Sequence, residues 1–188
     1  MATAWGDESI RQNEAGRPMY LMGACVCDSA EADVRRALGA VKPKGAPKLH
    51  WRDMKRALRD KSIDAIESMG LSHVVVAAVP MSDWTTSECA RRKCMEQLLP
   101  VLEAEYGVDL FVLESRDKDQ DKRDVRLVDA LRSRRYISSI RIGLERGEGD
   151  ARLWLPDQLL GAYGDSEAGS WDFDGFLSGV RVIFVPSE

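Results

Sequence analysis

Acidic residues recur where strands should end. Asp7-Glu8 follows a short, mostly apolar run, Glu114 closes Val108 to Leu113 with Asp117 three residues on, and Asp157 interrupts the apolar stretch Leu153 to Tyr163. In an α/β sheet the carboxyl ends of the strands meet at a common edge, where ligands usually bind. An ionised carboxylate in apolar surroundings is costly to desolvate, and a metal ion is one common compensator. Three such groups from separate elements offer the hard oxygen ligands that Mg²⁺ or Mn²⁺ prefers, with places left for water and a phosphate oxygen. Phosphodiester hydrolysis is the chemistry this set can support, with a metal-bound water as nucleophile. His50, in Lys-Leu-His-Trp, is a candidate general acid or base if its loop faces the carboxylates.

Each of these residues also has an ordinary structural use. Asp7 can cap a turn, Asp117 can sit in the solvated run Arg116 to Asp124, and Pro156-Asp157 suits the first turn of a helix through fixed φ and the helix dipole. His50 can be a packed loop histidine. Basic groups are plentiful: Arg52, Lys55, Arg56 and Arg59 at helical spacing, the run Arg91-Arg92-Lys93, and Arg132, Arg134, Arg135 and Arg141 later. They suit a phosphate-binding face or solvated helix surfaces. Trp51, Trp84 and Trp171 suit base stacking or core packing.

The chain must fold around these groups. Its 188 residues are 44% hydrophobic and 31% charged, enough for one substantial core and too apolar for a disordered chain. A single domain over 1–188 is expected, its core spanning about 2–165 and a C-terminal strand or tail 166–188. No run reaches the roughly 20 apolar residues of a membrane span, and the first residues lack the pattern of a signal peptide, so a cytoplasmic, non-membrane protein is expected. Cys25, Cys27, Cys89 and Cys94 form a poor zinc pattern and read as reduced thiols. A net charge of −4 argues against a protein that coats nucleic acid, while leaving room for a local basic face. The phosphate loop, dinucleotide fingerprint, serine elbow and zinc-protease motifs are all missing from the sequence.

The apolar pattern predicts a strand pair, Ala2 to Asp7 and Met19 to Cys27, joined by a polar turn at Arg11 to Arg17. A helix capped by Ser29 follows, then the Pro43 to Pro47 loop, which prolines keep from being helical. An interrupted helix to Gly70, a buried strand Ser72 to Pro80, and a long helix from Ser82 or Asp83 to Tyr106 come next, the last ended by Gly107. Val108 to Glu114 is a strand, Ser115 to Asp124 a charged loop, Val125 to Arg134 a helix and Tyr136 to Leu144 a strand. Leu153 to Tyr163 is an apolar helix and Val180 to Val185 a late strand. A strand pair followed by alternating helices and strands favours a mixed α/β sheet over an all-parallel one.

Asp7-Glu8-Ser9, the strand Tyr20-Leu21-Met22-Gly23 and the segment Leu155 to Ala162 resemble the bacterial and phage family catalogued as domain of unknown function 3800, over roughly Trp5 to Tyr163. The resemblance implies an RNase-H-like fold: a mixed sheet flanked by helices. It also implies metal-binding roles for Asp7, Glu114 and Asp157, with Glu8 and Asp117 as neighbours. Ile10 stands where that family usually has Gly, Glu114 where Asp is commoner, and Pro156 in place of Ala.

A metal-dependent nuclease is therefore the leading expectation, with DNA or RNA as partner and the oligomeric state, a homodimer included, left open. A catalytically silent RNase-H-like module binding nucleic acid or protein in a phage, mobile-element or defence setting is the first alternative. A metal-dependent phosphatase or nucleotide hydrolase is the second.

Overall fold

A computed structural model describes residues 2–79, 81 and 86–186. Six strands, β1 (Ala2–Gln12), β2 (Pro18–Val26), β3 (Ser72–Ala78), β4 (Val108–Glu114), β5 (Arg141–Glu145) and β6 (Val180–Val185), form one sheet in the order β5-β4-β1-β2-β3-β6. The pairs β1–β2 and β2–β3 are antiparallel, and β1–β4, β4–β5 and β3–β6 are parallel. The expected mixed sheet is what forms. The late strand β6 is an edge of this sheet, so residues 180–185 belong to the main fold.

Alternation along the central strands sends successive side chains to opposite faces. Trp5, Leu21, Cys25, Val75, Ala77 and Val112 pack on one side beneath α1 (Glu31–Gly39), α2 (Arg56–Glu67) and α5 (Trp154–Glu167). Ala4, Tyr20, Met22, Val74, Val76 and Phe111 pack on the other beneath α3 (Ser87–Tyr106) and α4 (Lys118–Ser133). The short helix α6 (Asp174–Leu177) leads into β6 and places Phe176 against the first core. No helix among the described residues is long and apolar enough to cross a membrane.

Four boundaries differ from the sequence reading, each for a local reason. β1 does not stop at Asp7 but continues to Gln12, because pairing with β2 runs to Gln12↔Pro18 even though Glu8 to Gln12 carries no apolar run. The turn accordingly narrows to 13–17, where the Asn13 side chain accepts from the Arg17 N–H. The charged run is helical from Lys118, because Asp117 accepts from the backbone N–H groups of Asp119 and Gln120 and nucleates the turn. Strand β5 begins only at Arg141: the Glu103 carboxylate gathers the N–H groups of Ser138, Ser139 and Ile140 and holds that segment off the sheet.

Helix α1 is preceded by Ala30 rather than by a capping Ser29. The described part of α3 starts at Ser87 with Thr86 accepting from the Cys89 N–H, and ends at Gly107, whose φ of 62° suits a residue without Cβ. Ser82, Asp83 and Trp84, read from the sequence as cap and stacking candidates, lie outside the described residues. All four cysteines are free thiols, three of them buried.

Candidate metal centre

Strand register brings the first two carboxylates together. Trp5 pairs with Val112, Gly6 pairs with Leu113, and there the β1–β4 ladder ends. One position further, Asp7 and Glu114 sit on neighbouring strands, both on the face that Trp5 and Val112 share. Asp7 is thus inside β1 rather than after it, yet it stands where β1 loses its parallel neighbour.

Helix α5 supplies the third carboxylate from above that face. It can lie close to the sheet because Gly23, opposite Asp7 in β2, has no Cβ: one built there would stand 2.9 Å from Leu160. The helix also receives the indole of Trp51, in the 3₁₀ turn Trp51–Asp53, against Gly161, where a Cβ would fall 2.1 Å from the ring. Trp51 clamps α5 at two levels, its backbone N–H donating to Asp157 Oδ2 (2.7 Å) and its Nε1–H to Asp165 Oδ2 (2.9 Å). Asp157 lies in the first turn of α5 behind Pro156, so its structural and site readings are compatible.

Asp7, Glu114 and Asp157 line a single cleft of about 420 Å³ together with Glu8, Ser9, Ile10, Arg11, Lys48, His50, Trp51 and Arg52. Burial first, then the charges of Asp157 and Glu114, push the Asp7 carboxyl up to about 8; the Glu8 N–H, donating to Oδ1 at 2.8 Å, opposes the rise. Asp157 is oriented by a second layer. Gln158 Nε2 donates to its Oδ2 (2.9 Å), and the buried hydroxyl of Ser62 on α2 holds Gln158 by donating to its Oε1 (3.0 Å).

The strap Lys48-Leu49-His50 contributes its first and third side chains to the cleft lining. Leu49 is 1% exposed and anchors the strap in the core, which turns its two neighbours the other way. Lys48 Nζ donates to both oxygens of Glu114, at 2.9 and 2.8 Å. His50 Nδ1 lies 2.9 Å from Asp157 Oδ1, and this contact raises the imidazole pKa above its ordinary value. His50 therefore faces the carboxylates, as the sequence reading required of it.

Two acidic candidates have partners of their own, Glu8 at the edge of the cleft and Asp117 outside it. Glu8 points to the opposite face of the sheet, where Tyr20 and the buried Arg91 hold its carboxylate. Asp117 caps α4 and is absent from the cleft lining. Of the basic candidates, Arg52 lines the cleft, while Arg59 is engaged by Asp165 (2.8 Å) and Arg56 stacks on Trp171. Trp51 is a core residue, 1% exposed. Arg132 is tied to the Ile140 carbonyl at the far end of α4. Sequence reasoning missed Lys48, Gln158 and Ser62, while Arg91, a candidate for a phosphate-binding face, is instead buried against Glu8 and Asp124. The alternation in Lys48-Leu49-His50 was a usable signal for the first of these.

As donors the three carboxylates fit a hard divalent cation: they are oxygen ligands from three elements, sharing one cleft, and their mutual repulsion is relieved by positive charge. Their present spacing is wider than a coordination sphere, and among the described residues no three His, Cys, Asp or Glu side chains stand close enough to enclose an ion. Glu114 and Asp157 are instead met by the strap.

No protein-family model matches this chain, and no curated protein does. Solved structures do match. A chain of the PCNA:RNase HII complex from Archaeoglobus fulgidus aligns with a TM-score of 0.60 at 14% identity, over 90% of this chain and 75% of that one. Ribonuclease H2 from Pyrococcus horikoshii OT3 aligns with a TM-score of 0.53 at 16% identity, over 90% and 74%. At these identities the likeness shows the fold: the chain has an RNase H-like architecture.

Proposed function

We propose that the chain is a metal-dependent nuclease in which Asp7, Glu114 and Asp157 hold Mg²⁺ or Mn²⁺ against a DNA or RNA phosphodiester. The observation that carries this reading is the meeting of three carboxylates from β1, β4 and α5 in one cleft, where burial first and then the charges of Asp157 and Glu114 push Asp7 up to about 8. The likeness to ribonuclease structures supports it, and so do Asp7-Glu8-Ser9 and Leu155 to Ala162, the segments on which membership of the domain of unknown function 3800 family is likewise proposed.

When bound, such an ion supplies positive charge that polarises a phosphoryl group and acidifies water. The remaining roles fall to the protein. Ser62, Gln158 and the Trp51 N–H fix the carboxylate of Asp157, as outer partners of ligands do. His50, beside Asp157, is placed to give or take a proton, and its raised pKa keeps it charged further toward neutral pH than a free imidazole. Arg11, Lys48 and Arg52 on the cleft wall attract a polyanionic backbone.

The engagement of Glu114 by Lys48 and Asp157 by His50 favours a second reading, a catalytically silent module that binds nucleic acid or a protein. Purified protein incubated with single-stranded, duplex and hybrid substrates, in Mn²⁺ or in chelator, separates the two. The nuclease reading expects metal-dependent cleavage that Asp157→Ala abolishes. Cleavage that survives this substitution, or that ignores chelator, would count against it.

A further inference from the structure

We infer that Lys48 is an exchangeable counter-ion: its ammonium occupies the Glu114 carboxylate in the metal-free protein and passes to the phosphate of the bound substrate when a divalent cation takes that carboxylate. The inference rests on the proposed metal site and assigns a further positioning residue to it.

The geometry favours exchange over a fixed brace. Lys48 straddles Glu114, engaging the same two oxygens a cation would use. Both partners are partly open to solvent, at 26% and 37% exposure of their side chains, so parting them strands no buried charge. This differs from Arg91, at 3% exposure, whose partner Asp124 is at 5%. Lysine is also the residue suited to moving: a point charge on a flexible stem, without the planar fork that locks an arginine to one carboxylate. Its backbone stays put, because Leu49 is buried in the core and Trp51 binds α5.

Two consequences follow from linkage. An ammonium already on Glu114 opposes an incoming cation, so the lysine weakens the binding of metal by itself. An amine freed by the metal remains tethered at the cleft wall beside Arg11 and Arg52, where an anionic phosphate is its natural partner. Metal and substrate then assist each other's binding, and by reciprocity the assistance is equal in both directions.

Calorimetric titration of the full chain with Mn²⁺ alone, in the wild type and in Lys48→Met and Lys48→Arg, tests this. Lys48→Met should bind Mn²⁺ about two- to fivefold tighter than wild type, the range expected for removing a partly exposed competing charge, and Lys48→Arg no tighter. A hybrid duplex whose RNA strand is 2′-O-methylated, and so resists hydrolysis, supplies the second readout: Lys48→Met should weaken its binding severalfold more in Mn²⁺ than in chelator. Equal Mn²⁺ affinity in wild type and Lys48→Met, or a duplex effect indifferent to Mn²⁺, overturns the exchange while leaving the metal site standing. Absence of Mn²⁺ uptake by both proteins overturns the exchange and the metal site together.

Discussion

Asp7 and Glu8 are adjacent on one strand, and the pleat sends them to opposite faces of the sheet and to opposite fates. Glu8 joins a closed network: Arg91 bridges it to Asp124 (2.8 Å), Arg116 links Asp124 to Glu88, and the Tyr20 hydroxyl completes the coordination of Glu8. Asp7 has the Glu8 N–H and, beyond that, the carboxylates of Asp157 and Glu114. On one face two arginines bridge the acids, with Arg91 and Asp124 buried between β1, α3 and α4. On the other, Lys48 and His50 meet Glu114 and Asp157, and Asp7 has no ion pair among the described residues. A folding chain gains nothing from the second arrangement, since uncompensated carboxylates cost desolvation and repulsion. The difference separates carboxylates that hold the structure together from those on which the proposed metal site rests.

The sharpest way to break this comparison is at Arg91. Burial opposes its charge, but hydrogen bonds to Asp124 and the charges of Glu8 and Asp124 outweigh that and raise its pKa. Arg91→Met leaves Asp124 and Glu8 short of a partner, and one charge of a broken buried network is strongly destabilising. We expect a loss of about 3–5 kcal/mol, read from urea or thermal unfolding. A loss below about 1 kcal/mol, the worth of an exposed pair, would remove the distinction between the two faces.

The opposite sign is expected at Asp7. Its folded-state pKa, about 8, lies above its ordinary value of 3.8, so between those limits the native state holds a proton that the unfolded chain has released. Stability from this group is therefore lost as pH rises from about 4 to about 8. Asp7→Asn removes the titrating group and should stabilise the metal-free protein by several kcal/mol at pH 8 and hardly at all at pH 4. Unfolding curves of both proteins at the two pH values, in chelator, check this. A wild-type-minus-variant difference that does not change with pH would mean that Asp7 is not held among like charges.

Much of this was readable from the residues. Leu110 to Leu113 and Val74 to Ala78 announce strands by continuous apolar runs, and Asp157 is conspicuous because nothing around it in Leu153 to Tyr163 is charged. The opposite facing of Asp7 and Glu8 was implicit in strand periodicity once β1 was known to continue. That continuation was hidden: Glu8 to Gln12 is held in the sheet by backbone pairing with β2, which leaves no apolar signature. Partnerships across the chain were hidden for a different reason. Lys48 meets Glu114 across 66 residues and Ser62 meets Gln158 across 96, and no local pattern selects those pairs from the many basic and polar residues available.

Asp117 gives the smallest effect and the finest discrimination. By sequence it belongs with the site, three residues beyond Glu114. By position it is a cap, exposed at the start of α4, its Oδ1 accepting from Asp119 (3.0 Å) and Gln120 (2.9 Å). A cap and a ligand respond differently to truncation. Asp117→Ala frees two N–H groups at a helix start and should cost about 1 kcal/mol of stability. It should leave Mn²⁺ affinity unchanged, because the side chain does not reach the cleft. Melting and Mn²⁺ titration of this one variant therefore test how far the acid-rich region extends along the chain after β4: a weaker metal site with unchanged stability would move Asp117 from the structural carboxylates to the ligand set, and redraw the boundary between the two.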